Sequence, residues 1–176
     1  MKRVCAGFIM AVCAVSASAA DYSESPNHQI GGLGFMTLEG DDVDYTVGAL
    51  VGSIASKHRV SNRFSLVPEL RLGIGLDDDK VIVGNTSVDV ELKYFAALSV
   101  KAQLDVTEHL YLFANPTYAY SSVKGSSGDI SLSDSDSAFA IGAGAGYEFY
   151  RGVSAELSYE KFSDASVTSL GLKFPM

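Results

Sequence analysis

The side chains best suited to acid–base chemistry near neutral pH are three histidines, His28, His58 and His109. To activate a serine nucleophile, one of them would have to lie within hydrogen-bond reach of it. Carboxylates come in clusters: Asp41, Asp42 and Asp44; Asp77, Asp78 and Asp79; Asp129, Asp134 and Asp136. Several such oxygens together suit a hard cation such as calcium. No run has the turn glycine and terminal glutamate of a defined calcium loop, so all three read as solvated loop charge. The two cysteines, Cys5 and Cys13, lie in the first stretch of chain and leave no thiol beyond it. No catalytic, metal or cofactor-binding residue is assigned, and an enzyme is not expected.

The elements that carry these side chains begin after an export signal. Lys2 and Arg3 supply its positive start, Val4 to Val15 its apolar stretch, and Ala17-Ser18-Ala19 the small residues of a cleavage site. The cut is expected after Ala19, with Ala20 the alternative. The apolar run falls short of the roughly 20 residues of a spanning helix. Residues 1–19 are therefore read as signal and 20–176 as one domain. Charged residues make up only 19% of the chain, below the roughly 25% usual in soluble domains. A net charge of -8 argues against nucleic acid, whose phosphates need clustered Lys and Arg.

Downstream, the pattern has period two, in segments separated by polar turn residues. From Phe64 to Leu76 one face carries Phe64, Leu66, Pro68, Leu70, Leu72, Ile74 and Leu76. The other carries Ser65, Val67, Glu69, Arg71, Gly73 and Gly75. From Ser87 to Leu104, Val88, Val90, Leu92, Tyr94, Ala96, Leu98, Val100 and Ala102 oppose Asp89, Glu91, Lys93, Phe95, Ala97, Ser99, Lys101 and Gln103. A helix would scatter these charges around its circumference; a strand sorts them. Six further segments fit: Gln29 to Leu38, Tyr45 to Ala55, Leu110 to Ser121, Ala138 to Phe149, Val153 to Phe162, and Ser166 to Phe174.

The polar face decides between a soluble and a membrane barrel. Glu69, Arg71, Asp89, Glu91, Lys93, Lys101, Glu156 and Glu160 share their faces with Gly, Ala and Ser, which suits a narrow interior where opposite charges pair. The bulky Leu, Val, Ile, Tyr and Phe of the other face suit lipid. Closure leaves no backbone group unpaired in hydrocarbon. Tyr45, Phe64, Tyr94, Tyr118, Tyr120, Tyr147, Phe149, Tyr159 and Phe174 lie near strand ends and fit an interfacial girdle. The expected fold is all-β, an eight-stranded antiparallel up-and-down transmembrane β-barrel; the competing reading is a soluble exported barrel or sandwich.

Three stretches, Tyr94 to Lys101 with the turn Asp105 to His109, Ala140 to Phe149, and Val167 to Phe174, resemble the small eight-stranded outer-membrane barrels of the OmpA/OmpX-like class. The resemblance implies the outer membrane of a Gram-negative cell and assembly by the barrel-insertion machinery, with lipid and lipopolysaccharide as neighbours. The last strand is similar to the family's assembly signal, although Pro175 and Met176 follow Phe174. It further implies periplasmic termini, with outer loops at Glu39 to Asp44, Asp77 to Thr86, Val123 to Asp136 and Ser163 to Ala165. Turns at Ser56 to Asn62, Asp105 to His109 and Tyr150 to Gly152 then face the periplasm, as do all three histidines. Outer-membrane hydrolases and acyltransferases resemble one another in placing a histidine near the outer end, which this arrangement lacks.

The Val123 to Asp136 stretch, rich in Ser, Gly and Asp, is expected to be an exposed loop. Val81-Ile82-Val83 is expected to extend a hairpin beyond the membrane. Eight strands leave an interior that side chains fill, so the lumen is expected to be plugged. These readings favour a non-enzymatic barrel with a structural or surface-interaction role in adhesion or envelope integrity, with surface proteins as further ligands. A narrow passive channel is the alternative, followed by a lipid-modifying enzyme. Weak bridging of the acidic loops to lipopolysaccharide by divalent cations is an intermediate reading.

Overall fold

The computed structural model describes residues 27–40, 46–76, 78–83, 86–127 and 130–176. At 27, 78–83, 86–91, 123–127 and 130–134 the description is of the backbone alone. The signal read in residues 1–19, Tyr45, and the acidic clusters apart from Asp136 lie outside the side chains described.

The described strands, in chain order, are β1 (Asn27–Gly40), β2 (Thr46–Arg59), β3 (Phe64–Gly75), β4 (Asp78–Val83), β5 (Thr86–Asp105), β6 (Leu110–Ser127), β7 (Ile130–Tyr150), β8 (Val153–Lys161) and β9 (Ala165–Pro175). All pairings are antiparallel. The sheet runs β3-β2-β1-β9-β8-β7-β6-β5, and a β3–β5 pairing closes it into an eight-stranded barrel. The short strand β4 stands outside the ring, paired with β5.

Both ends of the spanning chain and three tight turns lie at one end of the barrel, the terminal end. Each turn answers its own backbone groups. The Val60 and Ser61 amides donate to the Phe64 carbonyl, and those of Val106 and Thr107 to the Leu110 carbonyl. The third is a two-residue hairpin with positive φ at Arg151 (36°) and Gly152 (81°), the backbone that matches strand twist. The turn after β2 occupies 60–63, shorter than the Ser56 to Asn62 span expected, because β2 stays paired with β1 to His58.

At the opposite, distal end the described residues of the expected Val123 to Asp136 loop, 123–127 and 130–136, form a ribbon instead. β6 and β7 remain in register from Leu110↔Tyr147 to Ser127↔Ile130. A two-stranded ladder satisfies backbone groups whatever the side chains, so a run of Ser, Gly and Asp does not stop it. β4 and β5 form the expected extended hairpin: β3 ends at Gly75, the Leu76 amide bonds to the Gly48 carbonyl of β2, and β4 leaves the wall with β5. β5, β6 and β7 have 20, 18 and 21 residues, against the roughly 9–11 that cross a bilayer.

The seam joins the first and last strands. Leu33 faces Leu172, Gly31 faces Phe174, and β9 continues to Pro175↔Ile30. The Met176 amide then donates to the Gln29 carbonyl at 3.0 Å. The two residues after Phe174 therefore prolong the seam.

Candidate functional site: the packed lumen and the distal rim

The faces are inside out relative to a soluble protein. Ile141 is 67% exposed, Leu170 59% and Leu72 52%, whereas Glu160 is 0% and Glu69 2%. Exposed bulky residues ring the outside, including Phe35, Leu50, Leu98, Phe139, Tyr147, Phe149, Leu157 and Tyr159. That arrangement is unfavourable in water and favourable in hydrocarbon.

Inside, the charges predicted at Glu69, Arg71, Lys101, Glu156 and Glu160 come together. Arg71 donates from both terminal nitrogens to the Glu160 carboxylate, at 2.7 Å each. Glu160 also accepts from Asn115 Nδ2 at 2.6 Å and Thr117 Oγ1 at 2.5 Å. Next to this group, Lys101 Nζ lies 2.5 Å from Glu156 and 3.0 Å from Glu69. Lys173 reaches Glu69 and Ser53, and Tyr111 donates to Glu156 at 2.9 Å. Three cations therefore answer three carboxylates, as a low-dielectric interior demands. Arg71 lies 5.9 Å from the Phe95 ring centre and Lys101 4.7 Å from that of Phe113.

Lys173 was not among the predicted interior charges. Its signal was present: β9 alternates Leu170, Leu172 and Phe174 outward, which leaves Ser169, Gly171 and Lys173 inward. Asn115, Thr117 and Tyr111 were legible by the same parity on β6.

Two predicted placements are corrected. Leu92, expected on the lipid face, is buried at 1%, and Lys93, expected inside, is exposed. The β5–β6 ladder shifts register between Leu92↔Val123 and Tyr94↔Ser122. This bulge at Lys93 reverses the parity of β5. Asp89 and Glu91 lie above it, outside the side chains described.

Leu92 belongs to a second interior layer, entirely apolar. Met36, Leu38, Val47, Ala49, Val51, Phe95, Ala97, Ala119, Ala140, Phe162 and Val167 complete it. Leu38, Val47 and Val167 sit at the distal ends of their strands and Phe162 directly follows β8, so this cap fills the distal part of the lumen. Within the polar layer, a gap of about 50 Å³ is lined by residues including Glu69, Arg71, Lys101 and Asn115. At the terminal mouth a cavity of about 490 Å³ lies among Lys57, Arg59, Arg63, Asp105, His109 and Glu148. The lumen thus has a polar floor and an apolar ceiling.

His28 pairs in register with Lys57, His58 with Asn27, and His109 sits in the turn before β6, its ring centre 6.0 Å from that of Tyr147. All three lie at the terminal end. Asp136 is exposed and accepts from the Ser137 amide at 2.8 Å. Among the described residues, no three His, Cys, Asp or Glu side chains are grouped to hold a metal ion.

A closed antiparallel ring with bulky apolar residues outside and paired charges inside defines a small membrane β-barrel. The chain belongs to the outer membrane protein beta-barrel domain family, which it matches over residues 7–174. Its fold is similar to that of Ail, the attachment invasion locus protein of Yersinia pestis, at 17% identity and a TM-score of 0.56, covering 85% of this chain and 95% of that one. The N-terminal β-barrel domain of Pseudomonas aeruginosa OprF matches at 14% identity and 0.56, covering 85% and 98%. Neisserial surface protein A matches at 10% identity and 0.53, covering 86% and 98%. No curated protein sequence matches.

Proposed function

We propose that this is a non-enzymatic outer-membrane barrel with a surface-interaction role, exported by a signal cleaved after Ala19 and inserted by the barrel-assembly machinery through its Phe174 strand. Its termini face the periplasm and its distal end faces outward. The observation that carries the reading is the contrast between a filled lumen and long distal ribbons. β6 and β7 stay paired to Ser127↔Ile130, well past the length needed to span. β4 has one partner, β5, so its other edge ends the sheet among the described residues. Such an edge offers backbone donors and acceptors to an extended segment of a protein ligand.

Proteins of similar fold support this reading, since one is described as an attachment invasion locus protein and another as a surface protein. The packed interior speaks against the narrow channel, and the position of all three histidines at the terminal end speaks against an outer-leaflet lipid-modifying enzyme. A strain expressing the barrel should gain adhesion to a protein-coated surface. A variant with the β4–β5 hairpin shortened to a tight turn should lose that gain while keeping outer-membrane fractionation and heat-modifiable migration. Equal adhesion by both strains rejects the ribbon as the contact surface.

A further inference from the structure

We infer that the β5 bulge builds a binding site for the phosphorylated sugar headgroup of an anionic glycolipid, at the distal rim of the barrel wall. This rests on the proposed orientation, in which the distal rim meets the outer leaflet.

The site begins with the register shift at Lys93. Bulges re-aim side chains and are retained for that purpose. Here the shift turns Leu92 into the apolar cap and leaves Lys93 exposed beside Tyr94. An ordinary interfacial girdle needs aromatic rings but neither a bulge nor a lysine. Tyr94 stacks on Tyr120, ring centres 5.9 Å apart and planes 30° from parallel. Tyr94, Ser122 and Ser135 stand in register across three strands. Ser135 donates to Ser122 at 3.2 Å, and Ser122 stands in register with Tyr94.

A cation, an aromatic platform and a row of hydroxyls thus share one small patch. Below it on the outer face are apolar Leu98 and Leu72, with Ile74 in register beside Tyr94; beside it on β7 are exposed Ser135, Asp136 and Ser137. The patch therefore sits where hydrocarbon gives way to headgroups. A primary ammonium binds phosphate as a point charge, the exposed Ser135 hydroxyl answers a sugar hydroxyl while Ser122 beneath it is buried, and a tyrosine face accepts the apolar face of a sugar ring. A phosphoglycerol lipid would use only the ammonium, and a zwitterionic lipid would carry its own competing cation.

The test is native mass spectrometry of the purified barrel in detergent, with lipid A, phosphatidylglycerol or phosphatidylethanolamine added separately. The wild type should retain lipid A preferentially. Lys93→Gln should lose about tenfold in lipid A occupancy, the worth of one charge-assisted contact, and Lys93→Arg should keep most of it. Tyr120→Leu should weaken lipid A binding while leaving phosphatidylglycerol unchanged. Equal occupancy by all three lipids or indifference to Lys93→Gln overturns the site. Heat-modifiable migration establishes that each variant is folded. Labelling of the distal end in intact cells reports separately on the orientation, so failure of the orientation and failure of the site are told apart.

Discussion

Arg71 on β3 and Glu160 on β8 join opposite walls of the barrel. Three strands separate β3 from β8 in either direction around the ring, and the two residues meet through paired 2.7 Å hydrogen bonds. The bridge spans the lumen directly, with Thr117 and Asn115 also bonded to the carboxylate.

Removing one partner leaves a buried charge without an answer. Glu160→Gln should destabilise the barrel by about 3–5 kcal/mol. The double variant Arg71→Met/Glu160→Leu should recover most of that loss, because apolar replacement of a whole buried pair is often neutral. Urea unfolding in detergent, followed by heat-modifiable migration, measures both. A double variant as unstable as the single one would mean that the pair, and not the orphaned arginine, carries the stability.

Conductance separates the polar layer from the apolar cap. An ion passing through the lumen would have to cross the layer of Leu92, Phe95 and Phe162, which are 1%, 2% and 8% exposed. In planar bilayers the wild type and Arg71→Met/Glu160→Leu should both remain silent. Leu92→Ala/Phe95→Ala/Phe162→Ala should show steady conductance steps. Steps from the charge-pair variant alone would place the seal in the ion pairs.

Much of this was legible from parity. Two-residue alternation on β3, β8 and the lower part of β5 sorts Glu69, Arg71, Lys101, Glu156 and Glu160 inward, because a strand allows only two faces. What alternation cannot reveal is a change of phase. Leu92, Lys93 and Tyr94 continue an unbroken apolar–polar–apolar pattern, and the bulge is set by how β5 meets β4 and β6. The ribbon at 123–127 and 130–134 is hidden for a different reason. Beyond the bilayer no apolar face is required, so the sequence carries loop-like composition while the backbone ladder continues. Lys173 is legible by the same parity, since it alternates with Leu172 and Phe174 on β9.

Orientation can be measured with single cysteines, since Cys5 and Cys13 depart with the proposed signal. Val60 lies in a terminal-end turn and Asp164 in the connection between β8 and β9, and both are exposed. In intact cells a membrane-impermeant maleimide should label Asp164→Cys and spare Val60→Cys. After outer-membrane permeabilisation both should react. The reverse pattern would invert the proposed topology and remove the ribbons from the cell surface.

Two glycines of the same wall should respond oppositely to one added methyl group. At Gly75, where β3 ends and β4 departs, a Cβ would stand 1.9 Å from the Leu92 carbonyl oxygen. That atom is backbone on the strand that carries the bulge, so it cannot yield without moving the β3–β5 contact. At Gly52, on the outer face between Leu50 and Ile54, a Cβ would meet nothing within 4 Å. Gly52→Ala should therefore leave stability within about 0.5 kcal/mol, the methyl simply joining the lipid-facing surface. Gly75→Ala should cost about 1–3 kcal/mol, the usual price of overpacking. Because the strain falls on Leu92, Gly75→Ala should also loosen the apolar cap. Its unfolding midpoint should fall and a small conductance should emerge, whereas Gly52→Ala shows neither. If Gly75→Ala lowers stability without any conductance, the strain is absorbed by β4 moving outward, and the cap is independent of the ribbon above it.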